Sequence, residues 1–379
     1  MKDAVDWDLA VRRAGGLAKA GPPVDATGLR ALVASLRSAA VDAPSYVAEV
    51  TGLDAAAATA ADGTVLVVDR PRWAEAATGT FRAMAGDDLP EPRIPGAARV
   101  AGEQLGWALA LLSTRILGQF DPYAPASGPG TPPGRLLLVA PNVLGIQRQM
   151  DADAEDFHLW VCLHEQTHAV QFAAAPWLAD HLRGTLTSVL RSQIGRPGED
   201  ADEESVEESA SVDELATEAT TPADGPDGPE PREPESVLQR VLGSLTRPGS
   251  LPGLLEAVLP PEQRAELERA VAIMSLLEGH ADVVMDAVGP RAIPSVRQIR
   301  ASFEKRRDDR TLSTVLLRRV LGMDAKLAQY RDGAAFVRGV VDAVGHAGLN
   351  RVWERPEHLP RPEEIADPAA WVARVVGAD

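Results

Sequence analysis

The sequence has few aromatic residues, a single cysteine and no long uncharged hydrophobic run. Aromatic residues make up 4% of the 379, so Ala, Val and Leu must fill most of the core. Cys162 is the only cysteine, which excludes an internal disulfide and fits a reducing compartment. No stretch of about 18 apolar residues is free of charge, and the first residues lack the basic and apolar regions of a secretory signal. We therefore expect a soluble, cytoplasmic protein without a membrane partner.

Basic residues are fewer than acidic residues, and most of the difference lies in one segment. The chain has 38 Lys and Arg against 55 Asp and Glu, a net charge of -17. Between Glu199 and Glu235, 15 acidic residues accompany one basic residue, so this window carries -14 and the other 342 residues carry -3. No basic stripe with interleaved aromatic residues occurs, so nucleic-acid binding is not expected. Residues 196–235 contain almost no large apolar side chains, and we predict that they form a disordered acidic insertion.

Hydrophobic residues recur at three- and four-residue spacing along most of the chain, which predicts a largely helical protein. Two short apolar runs, Thr64–Val68 and Arg135–Ala140, predict strands, and the residues from 97 to 120 between them predict one long helix. Two strands are too few for a doubly wound sheet, so the predicted fold is α+β and predominantly α-helical. We expect one catalytic unit, interrupted by the insertion, with residues 1–195 before it and 236–379 after it.

Residues 164–168 have the sequence His-Glu-x-x-His. Side chains four residues apart lie on one face of a helix, so His164 and His168 can bind one metal ion. Glu165 lies about 100° further around the helix, where its carboxylate can accept a proton from a metal-bound water. The flanking residues are strongly apolar, and burying these polar groups without a metal would be costly. Imidazole suits Zn2+, which keeps one position open for water when three protein ligands bind it.

A second apolar helix, predicted over residues 274–286, carries the candidate third ligand. Glu278 and Asp282 are four residues apart and share a face of this helix. We predict that Glu278 binds the metal and that Asp282 accepts a hydrogen bond from the other nitrogen of a ligand histidine. His181 and His280 are the alternative third ligands.

The motif followed by Glu-x-x-x-Asp on a later helix resembles the gluzincin class of zinc metallopeptidases, of which thermolysin is the best-known member. The spacing differs from that of thermolysin-like enzymes, because 109 residues separate His168 from Glu278. The sequence is more similar to an actinobacterial family of zinc-dependent metalloproteases, some of which are labelled as associated with deazaflavin coenzyme biosynthesis. This resemblance covers about residues 60 to 377 and implies a zincin-like fold with metal chemistry. The segments that carry it are 164–168, Gln171-Phe172, 176–178, 275–281, 329–333 and 368–374.

These groups predict a zinc-dependent hydrolase, and more narrowly a metallopeptidase whose substrate is a peptide or a protein. Zinc would acidify its bound water and polarise the scissile carbonyl. Glu165 would take the water proton and pass it to the leaving amine. Tyr330 and His280 are the candidate donors to the tetrahedral oxyanion.

Two other classes of protein could carry the same residues. A binding or scaffold protein stabilised by zinc would need a fourth protein ligand, which His181, His280 or Cys162 could supply. Cys162 is a poor candidate because it lies two residues before His164 and points away from the metal face. A di-iron protein would use Glu165-x-x-His168 but requires a second Glu-x-x-His, and the sequence contains none.

Overall fold

The computed structural model describes residues 4–85, 95–194, 261–307 and 333–377. Within these ranges the chain is mostly helical and has one small sheet, which confirms the predicted fold class. The α-helices are α1 (Trp7–Leu17), α2 (Ala26–Thr51), α3 (Asp54–Ala61), α4 (Arg70–Ala85), α5 (Ala97–Leu112), α6 (Ala140–Met150), α7 (Ala154–Ala174), α8 (Leu178–Ile194), α9 (Pro261–Ala292), α10 (Val296–Arg307), α11 (Gly333–Leu349) and α12 (Pro368–Val375). The strands are β1 (Thr64–Val68), β2 (Gly118–Asp121) and β3 (Arg135–Val139), and short 3-10 helices span Asn350–Trp353, Pro356–His358 and Pro362–Ile365.

Two predictions lie outside the described residues. The acidic insertion over 196–235 is one of them, and Tyr330 is the other. None of the described helices is long and apolar enough to cross a membrane.

The sheet has a third strand that the sequence analysis missed. Strands β1 and β3 lie where they were predicted, and they pair in parallel. The long helix predicted over residues 97–120 is wrong, because α5 ends at Leu112 and β2 follows it. Strand β2 pairs antiparallel with β3 and lies at the edge of the sheet, in the order β1-β3-β2. Its sequence, Gly-Gln-Phe-Asp, contains no β-branched residue, so pairing with β3 and not local propensity makes it a strand.

Helix α7 occupies the centre of the fold. Its start is capped by Asp153, whose side chain accepts a hydrogen bond from the Asp156 N–H at 3.0 Å. One side of the helix packs against α2, where the Gln166 side-chain amide donates to the Ala40 carbonyl at 2.8 Å. Cys162 is fully buried on the same side, with its sulfur 3.6 Å from the Leu36 carbonyl. The cysteine therefore faces α2 and not the histidine side of α7.

Helices α9 and α11 cross at a contact between glycines, one residue after Glu278. A Cβ atom on Gly279 would lie 2.1 Å from the carbonyl carbon of Gly333. A Cβ atom on Gly333 would lie 1.9 Å from the carbonyl oxygen of Ser275. Because backbone atoms cannot approach a side chain so closely, only glycine permits this crossing. The crossing sets the position of the α9 segment that carries Glu278.

Gly279→Ala should destabilise the protein, because a methyl group at this crossing forces two helices apart. We expect the free energy of unfolding to fall by about 1–3 kcal/mol, measured by urea denaturation. The control is Gly79→Ala, since Gly79 is an exposed helical glycine with no atom near its added Cβ. That variant should gain about 0.4–1 kcal/mol. Equal stability of the two variants would contradict the claim that the contact between α9 and α11 requires glycine.

His158 is a buried histidine of α7 that precedes the His-Glu-x-x-His sequence. Its Nδ1 lies 2.7 Å from the Ser35 hydroxyl, and burial lowers its pKa to about 4. The unfolded chain takes up a proton near the ordinary pKa of about 6.5, so the folded state loses stability as pH falls from there towards 4.

Replacing His158 with glutamine, which does not titrate, should flatten this dependence. We expect the metal-free wild type to lose up to about 1.4 kcal/mol per pH unit more than His158→Gln between pH 6 and 4.5. Urea denaturation at several pH values measures both slopes. If the two proteins lose stability equally as the pH falls, His158 does not cause the pH dependence of unfolding.

Candidate metal centre

Three side chains from α7 and α9 converge on one point. The Nε2 atoms of His164 and His168 lie 3.2 Å apart, and each lies 3.6 Å from a carboxylate oxygen of Glu278. One ligand atom from each residue can be chosen so that all lie within 4.8 Å of one another. Ligands bound tetrahedrally to one zinc ion at about 2.0–2.1 Å stand roughly 3.3 Å from one another. The donor set and its spacing therefore fit a single zinc ion.

A buried glutamine determines which nitrogen of His168 is free to bind the ion. The Gln171 amide nitrogen donates to the Leu277 carbonyl at 2.9 Å and lies 3.0 Å from Nδ1 of His280. Because a carbonyl can only accept, the amide nitrogen must face α9, and the amide oxygen is left to accept from Nδ1 of His168 at 2.9 Å. Nδ1 of His168 then carries the hydrogen, and its Nε2 lone pair faces Glu278.

Sequence reasoning quoted Gln171 only as part of the family resemblance. Its position three residues after His168, on the same helical face, is the signal that identifies it as a hydrogen-bond partner.

Glu165 lies beside the ligand group and contacts the edge strand. It is buried, with 8% of its surface exposed. The pKa of Glu165 is raised to about 8, mainly by burial and also by the carboxylate of Glu278, while a hydrogen bond from the Phe120 backbone N–H acts in the opposite direction. A Cβ atom on Gly118 would lie 2.6 Å from Cγ of Glu165 and 2.9 Å from its Oε1. Strand β2 therefore holds this carboxylate in place, and its glycine leaves the room that the carboxylate needs.

Asp282, the second candidate carboxylate of α9, influences the pKa of His164. Burial lowers the pKa of His164, whereas the carboxylates of Glu278 and Asp282 act in the opposite direction. Asp282 therefore acts on His164 through its charge, and its hydrogen bond to a ligand histidine stays a prediction. Arg300 of α10 approaches the same face of α9, with Nη1 3.8 Å from Asp282 Oδ1 and Nη2 2.6 Å from Asp286 Oδ1. Sequence reasoning did not identify this arginine.

The remaining candidates do not join the convergent group. His280 is fully buried, its Nδ1 faces Gln171, and its ring packs against Trp353 with the centroids 5.4 Å apart. His181 lies on α8 with its ring against Trp177. Among the described residues, the convergent group has only the three members given above.

Two histidines and a glutamate that converge beside a buried second glutamate form the type of centre that metal-dependent hydrolases use. The comparisons agree with this class. The chain matches the family described as Zincin-like metallopeptidase over residues 5–372, and it therefore belongs to that family. It is also similar to a crystal structure from Chloroflexus aurantiacus described as a "putative hydrolase with a novel fold". The two chains are 29% identical, 99% of each is covered, and the TM-score is 0.64. No curated protein matches the chain.

Gln171→Leu should weaken zinc binding, because His168 loses the hydrogen bond that orients its ring. We expect the affinity to fall by about 10- to 100-fold, measured by competition with a chelator. The matched control is Gln166→Leu, which removes a buried hydrogen bond from the same helix on the side facing α2. Its zinc affinity should equal that of the wild type. An equal loss in both variants would show that helix packing and not His168 orientation is responsible.

Proposed function

We propose that the protein is a zinc-dependent metallopeptidase in which His164, His168 and Glu278 hold the ion and Glu165 is the general base. The observation that carries the proposal is the position of Glu165. Its carboxylate lies next to the ligand group without belonging to it, and β2 restrains it there. Family membership supports zinc hydrolase chemistry, and the hydrolase description of the Chloroflexus aurantiacus protein agrees with it.

The chain's own groups divide the reaction between them. A bound zinc ion supplies Lewis acidity, which polarises a substrate carbonyl and makes water more acidic. Glu165 accepts the proton of the attacking water and returns it to the leaving nitrogen. Gln171 keeps His168 in the form that binds a cation, and burial around Glu165 excludes bulk water from the proton transfer.

The edge strand favours a peptide as the substrate. Among the described residues, β2 pairs with β3 alone, so its other edge carries no paired strand. The Phe120 N–H donates to Glu165, which places the general base at that open edge. An extended peptide can add to such an edge through backbone hydrogen bonds. Its peptide bonds then run past the carboxylate.

A purely structural zinc site is not favoured by this geometry. Such a site is closed by four protein ligands, whereas the convergent group has three members among the described residues. Three protein ligands would leave one position of a tetrahedral zinc ion open for water or substrate.

Glu165→Gln should lose peptide hydrolysis and keep zinc, because the amide cannot take the water proton. We expect kcat to fall by about 100-fold or more on an unstructured protein substrate, with unchanged zinc content by elemental analysis. The control is Glu155→Gln in the exposed first turn of α7, which should retain wild-type activity. Undiminished hydrolysis by Glu165→Gln would overturn the assignment of the base.

Gly118→Ala should displace the same carboxylate from the side of the strand. The added methyl group overlaps Cγ and Cδ of Glu165, which can move, so the fold should survive. We expect kcat to fall by about 100-fold while zinc affinity is unchanged. Gly79→Ala, with an unobstructed Cβ, should retain wild-type kcat. Wild-type kcat in Gly118→Ala would show that β2 does not position the base.

A further inference from the structure

In the middle of α7, from residue 160 to residue 172, the partly exposed residues form a single stripe with an aromatic residue at each end. From residue 161 to residue 171, every side chain is buried except those of His164 and His168. Trp160 lies four residues before the first histidine, and Phe172 lies four residues after the second, and both are partly exposed. The stripe is about 18 Å long at 1.5 Å per residue. The two histidines lie in its middle.

The aromatic residue at each end is paired with a ring from another element. Trp160 packs against Phe303 of α10 with the ring centroids 4.5 Å apart. Phe172 packs against Phe120 of β2 with the ring centroids 5.6 Å apart. Phe303 and Phe120 are also partly exposed. An aromatic pair therefore lies about one helical turn from each ligand histidine.

Core packing accounts for part of this arrangement, because the ring of the fully buried Phe157 lies 6.1 Å from that of Trp160 and 6.3 Å from that of Phe303. The chain has six phenylalanines, and three of them belong to these two pairs. Large aromatic side chains gain most from complete burial, yet all four of these rings are only partly buried. Apolar walls around a few polar groups are typical of substrate-binding clefts.

We propose that the two aromatic pairs are binding subsites, and that the substrate is an extended peptide with apolar, preferably aromatic, side chains on both sides of the hydrolysed bond. The proposal rests on the proposed function, because it takes the ligand group as the position of that bond. An extended peptide advances about 3.3 Å per residue, so the stripe spans about five residues. Each subsite then receives a side chain within about two residues of the bond.

The experiment measures peptide binding to full-length, zinc-loaded Glu165→Gln, so that hydrolysis does not interfere. Four labelled peptides of equal length differ only in the residues next to the central bond. The first has Phe at the two residues on each side of the bond, the second at the two on the N-terminal side only, and the third at the two on the C-terminal side only. The fourth has no Phe, and every other position is Ala. Fluorescence anisotropy gives the dissociation constants. We expect the peptide with Phe on both sides to bind at least about 10-fold more tightly than the peptide with none.

The subsites are tested separately by adding Trp160→Leu or Phe172→Leu to this protein. Each substitution should remove the gain from Phe on one side of the bond, by about 10-fold, and leave the gain from the other side unchanged. If Trp160→Leu does not fold, Phe303→Leu tests the same pair. The control is Trp107→Leu, since Trp107 lies on α5 and is 58% exposed. It should not change the affinity for any peptide.

The outcomes separate this proposal from the hydrolase assignment. Equal binding of all four peptides, or an equal loss for all of them in both variants, overturns the subsites. Cleavage of all four by the wild type with equal kcat/KM also overturns the subsites, while the hydrolase assignment stands. Selective binding without cleavage by the zinc-loaded wild type supports the subsites and overturns the proposed peptidase reaction.

Discussion

The structure depends on one constraint, which is that a nearly buried helix carries several polar side chains. An unpartnered polar group in such a place destabilises the fold, so the long buried polar side chains of α7 need partners on neighbouring elements. Gln166 finds it on α2, Gln171 on α9 and Glu165 on β2. The two partly exposed histidines instead face Glu278, where a bound cation would satisfy all three side chains. The polar residues of α7 thus determine which elements surround it.

This constraint also explains why distant parts of the chain form one centre. The candidate ligands His168 on α7 and Glu278 on α9 are separated by 109 residues, and the window that carries most of the net charge lies between them in the sequence. In space, the Leu277 carbonyl accepts from Gln171 and the glycine crossing holds α9 against α11. Both contacts are immediate neighbours of Glu278 in the chain. Packing of apolar and small residues therefore fixes the distance between a carboxylate and two imidazoles.

The edge strand shows most clearly what could not be predicted. Residues 118–121 contain one large apolar side chain and no β-branched residue, so the helical periodicity of the preceding residues extends through them in a prediction from sequence. Their conformation comes from pairing with β3, whose pattern is local and was recognised. The error concealed the contact between Gly118 and Glu165 and also the pairing of Phe120 with Phe172. Arg300 was missed for the same reason, since its carboxylate partners lie on another helix.

The sequence by itself determined the helical class, the strands β1 and β3, and the placement of His164, Glu165 and His168 around one helix. These features follow from local periodicity, in which neighbours along the chain set the geometry. It also singled out Glu278 as a candidate, from its apolar surroundings. Only the tertiary structure decided that Glu278 reaches the histidines, that Gln171 orients His168, and that an edge strand and two aromatic pairs border the centre. Those contacts join residues far apart in the chain, and their geometry is set by packing.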